Sequence, residues 1–177
     1  MQPETDPKHP EIDPDTAQPE KSIIKNLPQN VWAVSLTSFL MDISSEMVLN
    51  VLPLFLSNVL GVKTNIIGLI EGVAEATSSV LKVFSGWLSD KIGSRKWLAV
   101  LGYALSALSK PFFYFANTWE RIAAIRWTDR VGKGIRTAPR DALVADTVQP
   151  HHRGLAFGLH RAADSAGAML GILIAAF

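Results

Sequence analysis

Residues 126–141 read RWTDRVGKGIRTAPRD. Arg126, Arg130, Lys133, Arg136 and Arg140 recur at helical spacing, with Asp129 and Asp141 set among them. On a helix, Arg126, Arg130 and Lys133 share one stripe, and Asp129, Lys133, Arg136 and Arg140 share an overlapping one. A basic run of this kind suits a phosphate cradle, a nucleic-acid contact or an ionic lining inside a membrane. The phosphate cradle fails on spacing, because Gly132-Lys133-Gly134 is not part of a G-x-x-x-x-G-K-[ST] loop. Nucleic acid is excluded as a partner: the chain has 17 basic and 16 acidic residues, a net charge of +1, and no basic domain. Apolar stretches flank the run on both sides, which leaves the membrane reading.

Acidic residues recur with the same period. Asp42 and Glu46 form one i,i+4 pair, Glu71 and Glu75 another, and each pair lies on one helix face. Lys82 falls close to the second face. His160 and Asp164 share a face, with Arg161 one position round. An ionisable group inside a bilayer costs about 2.5–3.5 kcal/mol on insertion scales, so such residues turn toward a cavity or a partner. Two carboxylates held side by side resist joint ionisation, which suits one of them to carrying a proton. A purely structural ion-pair network accounts for the same residues. The basic stripe of 126–140 is therefore expected to divide between substrate contact and pairing with Asp42, Glu46, Glu71 and Glu75. His151 and His152 have no third ligand spaced to join them, so no metal site is expected. With no nucleophile–base set and no cysteine, neither catalysis nor a cofactor is expected.

The elements that must position these groups are apolar segments of spanning length. Such a helix needs about 20 mostly apolar residues. Residues 31–60, 66–89, 97–118 and 154–177 qualify by pattern, and 97–118 is the clearest, interrupted only by Lys110-Pro111. Trp97 and Trp119 at its two ends suit interfacial aromatic belts. Residues 120–147, which contain the basic run, fail a plain hydropathy test. Residues 1–30 are acidic and proline-rich, too poor in apolar side chains to offset their ordering entropy, and are expected to be a disordered tail. Lys and Arg concentrate in the turns at 90–96 and 148–153, so the positive-inside rule places these turns and the N-terminus in the cytoplasm. That assignment is consistent only if 120–147 also crosses. The expectation is an all-α membrane protein with five transmembrane helices, following the tail.

Between the second and third segments lies Gly86-Trp-Leu-Ser-Asp90-Lys91-Ile-Gly93-Ser-Arg95-Lys96. This stretch resembles the signature G-x-L-S-D-[RK]-x-G-x-[RK]-[RK] that joins the second and third helices of the major facilitator superfamily. Gly86 is suited to close helix packing and Gly93 to a tight turn. Asp164-Ser-Ala-Gly167-Ala168-Met-Leu-Gly171 is similar to the family's fifth-helix pattern D-x-x-G-P-x-x-G, associated with exporters, with Ala168 in the proline position. Arg130-Val-Gly132-Lys-Gly134 is a loose version of the family's arginine and glycine run in the fourth helix.

The resemblance covers residue 30 to the end. It implies a secondary carrier in the inner membrane of a bacterium, embedded in lipid, moving a small solute, coupled to protons and of an exporting type. It also implies twelve helices in two lobes, of which this sequence supplies five. A truncated chain, inactive unless a partner chain supplies the missing helices, is the corresponding expectation. The alternative is a non-transporting membrane component that assembles with or regulates a carrier. The transport cavity or proton-coupling set is Asp42, Glu46, Glu71, Glu75, Arg126, Asp129, Arg130, Lys133, Arg136, Arg161 and Asp164. The cytoplasmic gating set is Gly86, Asp90, Lys91, Gly93, Arg95, Lys96, Asp141 and Asp146. Pro139 is expected to bend the fourth helix. Asp141 and Asp146, beyond that bend, are expected to pair with Lys91 or Arg95.

Overall fold

The computed structural model describes residues 27–177; the expected tail, apart from its last four residues, lies outside the described residues. Those last four are structured: Leu27 is buried against the bundle, and the first helix begins at Gln29. Five helices follow: α1 Gln29–Asn58, α2 Thr64–Ile92, α3 Arg95–Ser109, α4 Trp119–Thr147 and α5 Arg153–Ala176. Two 3₁₀ turns join them, Lys110–Phe115 after α3 and Pro150–His152 before α5. The described residues contain no strand.

The expected 97–118 span is thus split. Pro111 has no N–H to give the i−4 carbonyl and its ring crowds that carbonyl, so the α-helix stops at Ser109 and tightens to 3₁₀ geometry. By contrast α4 runs continuously through Pro139. The basic hairpin is shorter than 90–96. Asp90 and Lys91 complete the last turn of α2, and Arg95 and Lys96 open α3, leaving only Gly93 and Ser94 between the helices. Gly93 takes the left-handed conformation at φ 68°, and its N–H closes on the Ser89 carbonyl at 3.0 Å.

α4 packs along both α2 and α3, while α1 packs along α5. Residue pairings give the directions. Glu71 and Glu75 of α2 meet Arg126 and Arg130 of α4, so these two helices run parallel. Ser35 meets His160, and Phe39 and Ile43 meet Gly167 and Gly171, so α1 and α5 also run parallel. α3 lies antiparallel to α4. Each seam carries a stripe of small residues: Ala74, Ser78, Ser85 and Ser89 on α2; Ala99, Gly102, Ser106 and Ser109 on α3; Ala156, Gly167 and Gly171 on α5. Backbones approach closely along such stripes, and dispersion then holds helices whose tails see only lipid. At the crossing of Gly102 and Gly132, a β-carbon on Gly132 would stand 2.6 Å from the Ser106 hydroxyl.

Two apolar clusters close the ends of the bundle. Leu52, Leu56, Val62, Ile67, Ile70, Ala116 and Ile122 pack at the end away from the hairpin. Leu27, Val31, Val144, Val148 and Ala156 pack at the hairpin end. Between them the usual burial pattern is inverted. Arg126, Asp129, Arg130, Arg136, Arg140 and His160 are buried, whereas Leu36, Leu54, Leu69, Val83, Phe84 and Leu108 lie more than half exposed. Hydrocarbon is the solvent that makes this arrangement stable, since lipid accepts the exposed apolar faces and drives charges inward. Two helical stretches, Gln29–Asn58 and Arg95–Phe115, are long and apolar enough to cross a membrane on length and composition alone. The others carry the ionic groups that lower their hydropathy.

Candidate functional site

The basic run forms an ionic ladder on α4. Arg126 to Arg140 spans 14 helical steps, about 21 Å at 1.5 Å per residue, or roughly two thirds of a hydrocarbon core. Arg126 and Arg130 face α2, Arg136 faces α3 and α1, and Arg140 faces α1 and α5.

At the end away from the hairpin, the Arg126 guanidinium donates to both Glu71 carboxylate oxygens, Nε to Oε1 at 2.9 Å and Nη2 to Oε2 at 2.8 Å. Its third nitrogen reaches Asp129 at 3.4 Å on the same helix. One turn on, Arg130 lies 3.5 Å from Glu75. Gly132 and Gly134 follow, and the structure explains their spacing. Gly132 seats α3, while a β-carbon on Gly134 would stand 2.7 Å from Leu81 and 2.8 Å from the Ser78 carbonyl on α2. Ser85 donates to the Gly134 carbonyl at 3.0 Å and tightens the same seam. The Gly-Lys-Gly centre is therefore a packing device for two neighbouring helices, with Lys133 between them. Among the described residues, no carboxylate lies within ion-pair distance of Lys133, and no cation within that distance of Glu46.

The lower rungs turn toward α1 and α5. Arg136 stacks over the Tyr103 ring at 4.6 Å and reaches Asp42 at 4.0 Å. Arg140 donates to Ser38 at 3.2 Å, contacts Asp141 at 2.8 Å and Asp164 at 3.7 Å. Ser38 also exchanges a short hydrogen bond with the Tyr103 hydroxyl. His160 is fully buried between the Ser35 hydroxyl, 3.4 Å from Nδ1, and Asp164, 3.5 Å from Nε2.

Of the expected partners of the basic stripe, Asp42, Glu71 and Glu75 are in place. Glu46 is not: its carboxylate sits near Asn50 at 3.5 Å, and its β-carbon lies where α5 closes on Gly171. Arg161 is largely exposed and only skirts the ladder, 4.0 Å from Asp141.

At the hairpin, Arg95 is the hub. It pairs with Asp146 of α4 and with Asp90 at 3.2 Å, and approaches the Ala142 carbonyl at 3.4 Å. Asp141 does not join it. The helix turns Asp141 toward α5, where Arg140 and Arg161 hold it, because five residues separate it from Asp146 and place the two on different faces. Lys91 also stands apart, its ammonium 5.0 Å from the Trp87 ring. Lys96 is exposed beside the turn. Gly86 meets α4 closely, a β-carbon there falling 3.3 Å from that of Ala138.

Two groups escape a reading of the sequence. Lys110, which interrupts an apolar span, donates to the Met41 carbonyl at 3.1 Å and the Ser45 hydroxyl at 3.0 Å, so it ties the end of α3 to the middle of α1. Ser35 and Ser38, three apart in an apolar helix, prove to be polar contacts of α5 and α4. Their helical spacing was the available signal.

The family model described as Major Facilitator Superfamily matches residues 34–177. An uncharacterized MFS-type transporter of Methanocaldococcus jannaschii is 42% identical over 147 residues, covering 83% of this chain and 36% of the relative. An uncharacterized protein of Mycobacterium tuberculosis is 34% identical over 119 residues, covering 66% of this chain and 29% of its own length. Multidrug resistance protein MdtH of Aeromonas hydrophila is 29% identical over 143 residues, covering 81% of this chain and 36% of that protein. The chain thus spans about a third of the length of the curated relatives it matches.

Proposed function

The chain belongs to the major facilitator superfamily, and from that premise we propose that it forms the first-lobe part of a secondary transporter that carries a small solute across a membrane. The observation that carries the reading is the ionic ladder of α4, held inside a bundle whose outer faces are apolar. Charges cost too much in a bilayer to be kept for packing alone when apolar residues of similar volume pack as well or better. Asp42, Glu71, Glu75, Asp129 and Asp164, interleaved with Arg126, Arg130, Lys133, Arg136 and Arg140, supply groups that exchange partners as a solute or a proton arrives. Lys133 and Glu46, free of ion pairs among the described residues, are the members most available to a solute.

Proton coupling is the mode this interleaving favours, since a carboxylate beside an arginine changes its grip when it takes a proton. Export is supported by the Asp164–Gly171 pattern and by the multidrug resistance protein among the relatives. The Arg95–Asp146–Asp90 cluster serves as a latch on the cytoplasmic face, one state holding α4 to the hairpin and the other releasing it. The N-terminus then lies in the cytoplasm and the chain in the inner membrane of a bacterium.

The test is reconstitution into vesicles carrying an internal pH-sensitive dye, with the chain alone and together with a chain supplying the remaining helices. A panel of organic acids, amines and hydrophobic drugs is added outside. Solute-dependent proton flux in either arm supports the reading. Flux no greater than in empty vesicles in both arms defeats it and favours a non-transporting membrane component.

A further inference from the structure

We propose that His160 and Asp164 of α5 together form a proton-binding site, with Arg140 as the cation that loosens its hold on Asp164 when the proton arrives. The proposal rests on the transport reading above and deepens it by naming where the coupling proton sits.

Geometry comes first. His160 is fully buried, and its Nε2 has no hydrogen-bond partner among the described residues. The Asp164 Oδ1 is likewise unpartnered. The two side chains face each other at 3.5 Å, one turn apart on a helix, while Nδ1 faces the Ser35 hydroxyl at 3.4 Å. Both contacts of the imidazole are long for a buried polar group, and such groups in low dielectric are normally satisfied. A single proton placed between Nε2 and Oδ2 supplies the missing link. The proton comes from hydronium, which is left as water, and the pair changes from a net charge of −1 to zero.

Charge balance then separates this pair from the other acids. The charged and titratable groups acting on it are Arg140, Arg136 and Asp141 of α4, Arg161 of α5 and Asp42 of α1, with Tyr103 of α3 reached through Ser38. Arg140 has two carboxylate partners, Asp141 at 2.8 Å and Asp164 at 3.7 Å. Neutralising Asp164 leaves Arg140 still compensated by Asp141. Asp42 offers no such reserve, because it is the one carboxylate within ion-pair distance of buried Arg136 among the described residues. A group that must gain and lose a proton in every cycle belongs where its partner stays paired throughout. The same geometry gives the proton a mechanical consequence: the Arg140–Asp164 contact is a tie between the parallel pair α1–α5 and helix α4, and protonation slackens it.

The experiment is infrared difference spectroscopy of the full chain in phospholipid vesicles, acid against alkaline, in light and heavy water. It is read beside nitrogen-15 NMR of the imidazoles. A protonated-carboxyl band that shifts in heavy water is expected. It disappears in Asp164→Asn, moves in frequency in Asp164→Glu and shifts its titration midpoint in His160→Gln. The band persists in Asp42→Asn. A band unchanged in both Asp164 variants, or no titrating band together with a pH-independent His160 signal, overturns the proposal. The measurement needs no solute. Failure of flux with an intact Asp164 band defeats the transport reading alone, and flux with neither that band nor a titrating His160 signal defeats this one alone.

Discussion

The molecule holds two ionic clusters built from the same residue types under different rules. On α4, Arg126 is buried and grips Glu71 through two parallel hydrogen bonds. At the hairpin, Arg95 pairs with Asp90 and Asp146, whose side chains are more than half exposed. Where water competes, an ion pair contributes about 0–1 kcal/mol and breaks readily. Inside the bundle, removing one partner strands the other, at a cost of about 3–5 kcal/mol. A buried pair therefore gives way only when a solute or proton compensates the charge it leaves, whereas the exposed cluster breaks readily. On the transport reading proposed above both have a use: buried pairs that yield only to a solute or proton, and a latch that opens at little cost.

The largest test of that contrast is Arg126→Ala. It leaves Glu71 and Asp129 without a cation inside the bundle, and thermal unfolding in mild detergent is expected to show a loss of about 3–5 kcal/mol. A near-wild-type unfolding curve would mean that the ladder is no more structural than the hairpin. Arg126→Ala combined with Glu71→Ala sharpens the point. The double variant should recover part of the single variant's loss, with a coupling of about 0.5–3 kcal/mol, because the stranded charge is gone.

Gly132→Ala comes next. Its methyl group would meet α3 at 2.6 Å, with backbone atoms of Gly102 and Ser106 nearly as close, so the seam must open. Overpacking of this kind costs about 1–3 kcal/mol, read by the same unfolding assay. Smallest of all is Asp146→Asn. Stability should change by less than about 1 kcal/mol, while a cysteine placed at Ser94 should react faster with a water-soluble thiol reagent as the latch weakens. A large stability loss with unchanged reactivity would reverse the roles assigned to the two clusters.

Much of the fold was legible along the chain. Apolar runs of spanning length marked α1, α2, α3 and α5, and the charged segment between Trp119 and Thr147 had to be a helix for the turns at 90–96 and 148–153 to share one side. The Gly-Asp-Gly spacing of 86–93 identified the hairpin. Element ends were less legible. Pro111 stops an α-helix and Pro139 does not, though both sit in helical stretches, because the surroundings decide whether a lost hydrogen bond can be tolerated. Partners were the least legible part. Asp141 and Asp146 look equivalent in sequence, yet one faces Arg140 and Arg161 and the other faces Arg95.

By itself, then, the sequence determined that this is a bundle of membrane helices with charge inside it. Hydropathy and helical period are local properties, and a bilayer leaves few alternatives for a chain that carries them. Only the tertiary structure decided what each charge does. It set Gly132 and Gly134 against two different helices, left Glu46 beside Asn50, brought Lys110 across to α1 and closed His160 in with Asp164. The reason is that ion pairing depends on distances between helices far apart in sequence. Those distances are fixed by how closely small residues let the backbones approach, and no single helix contains that information.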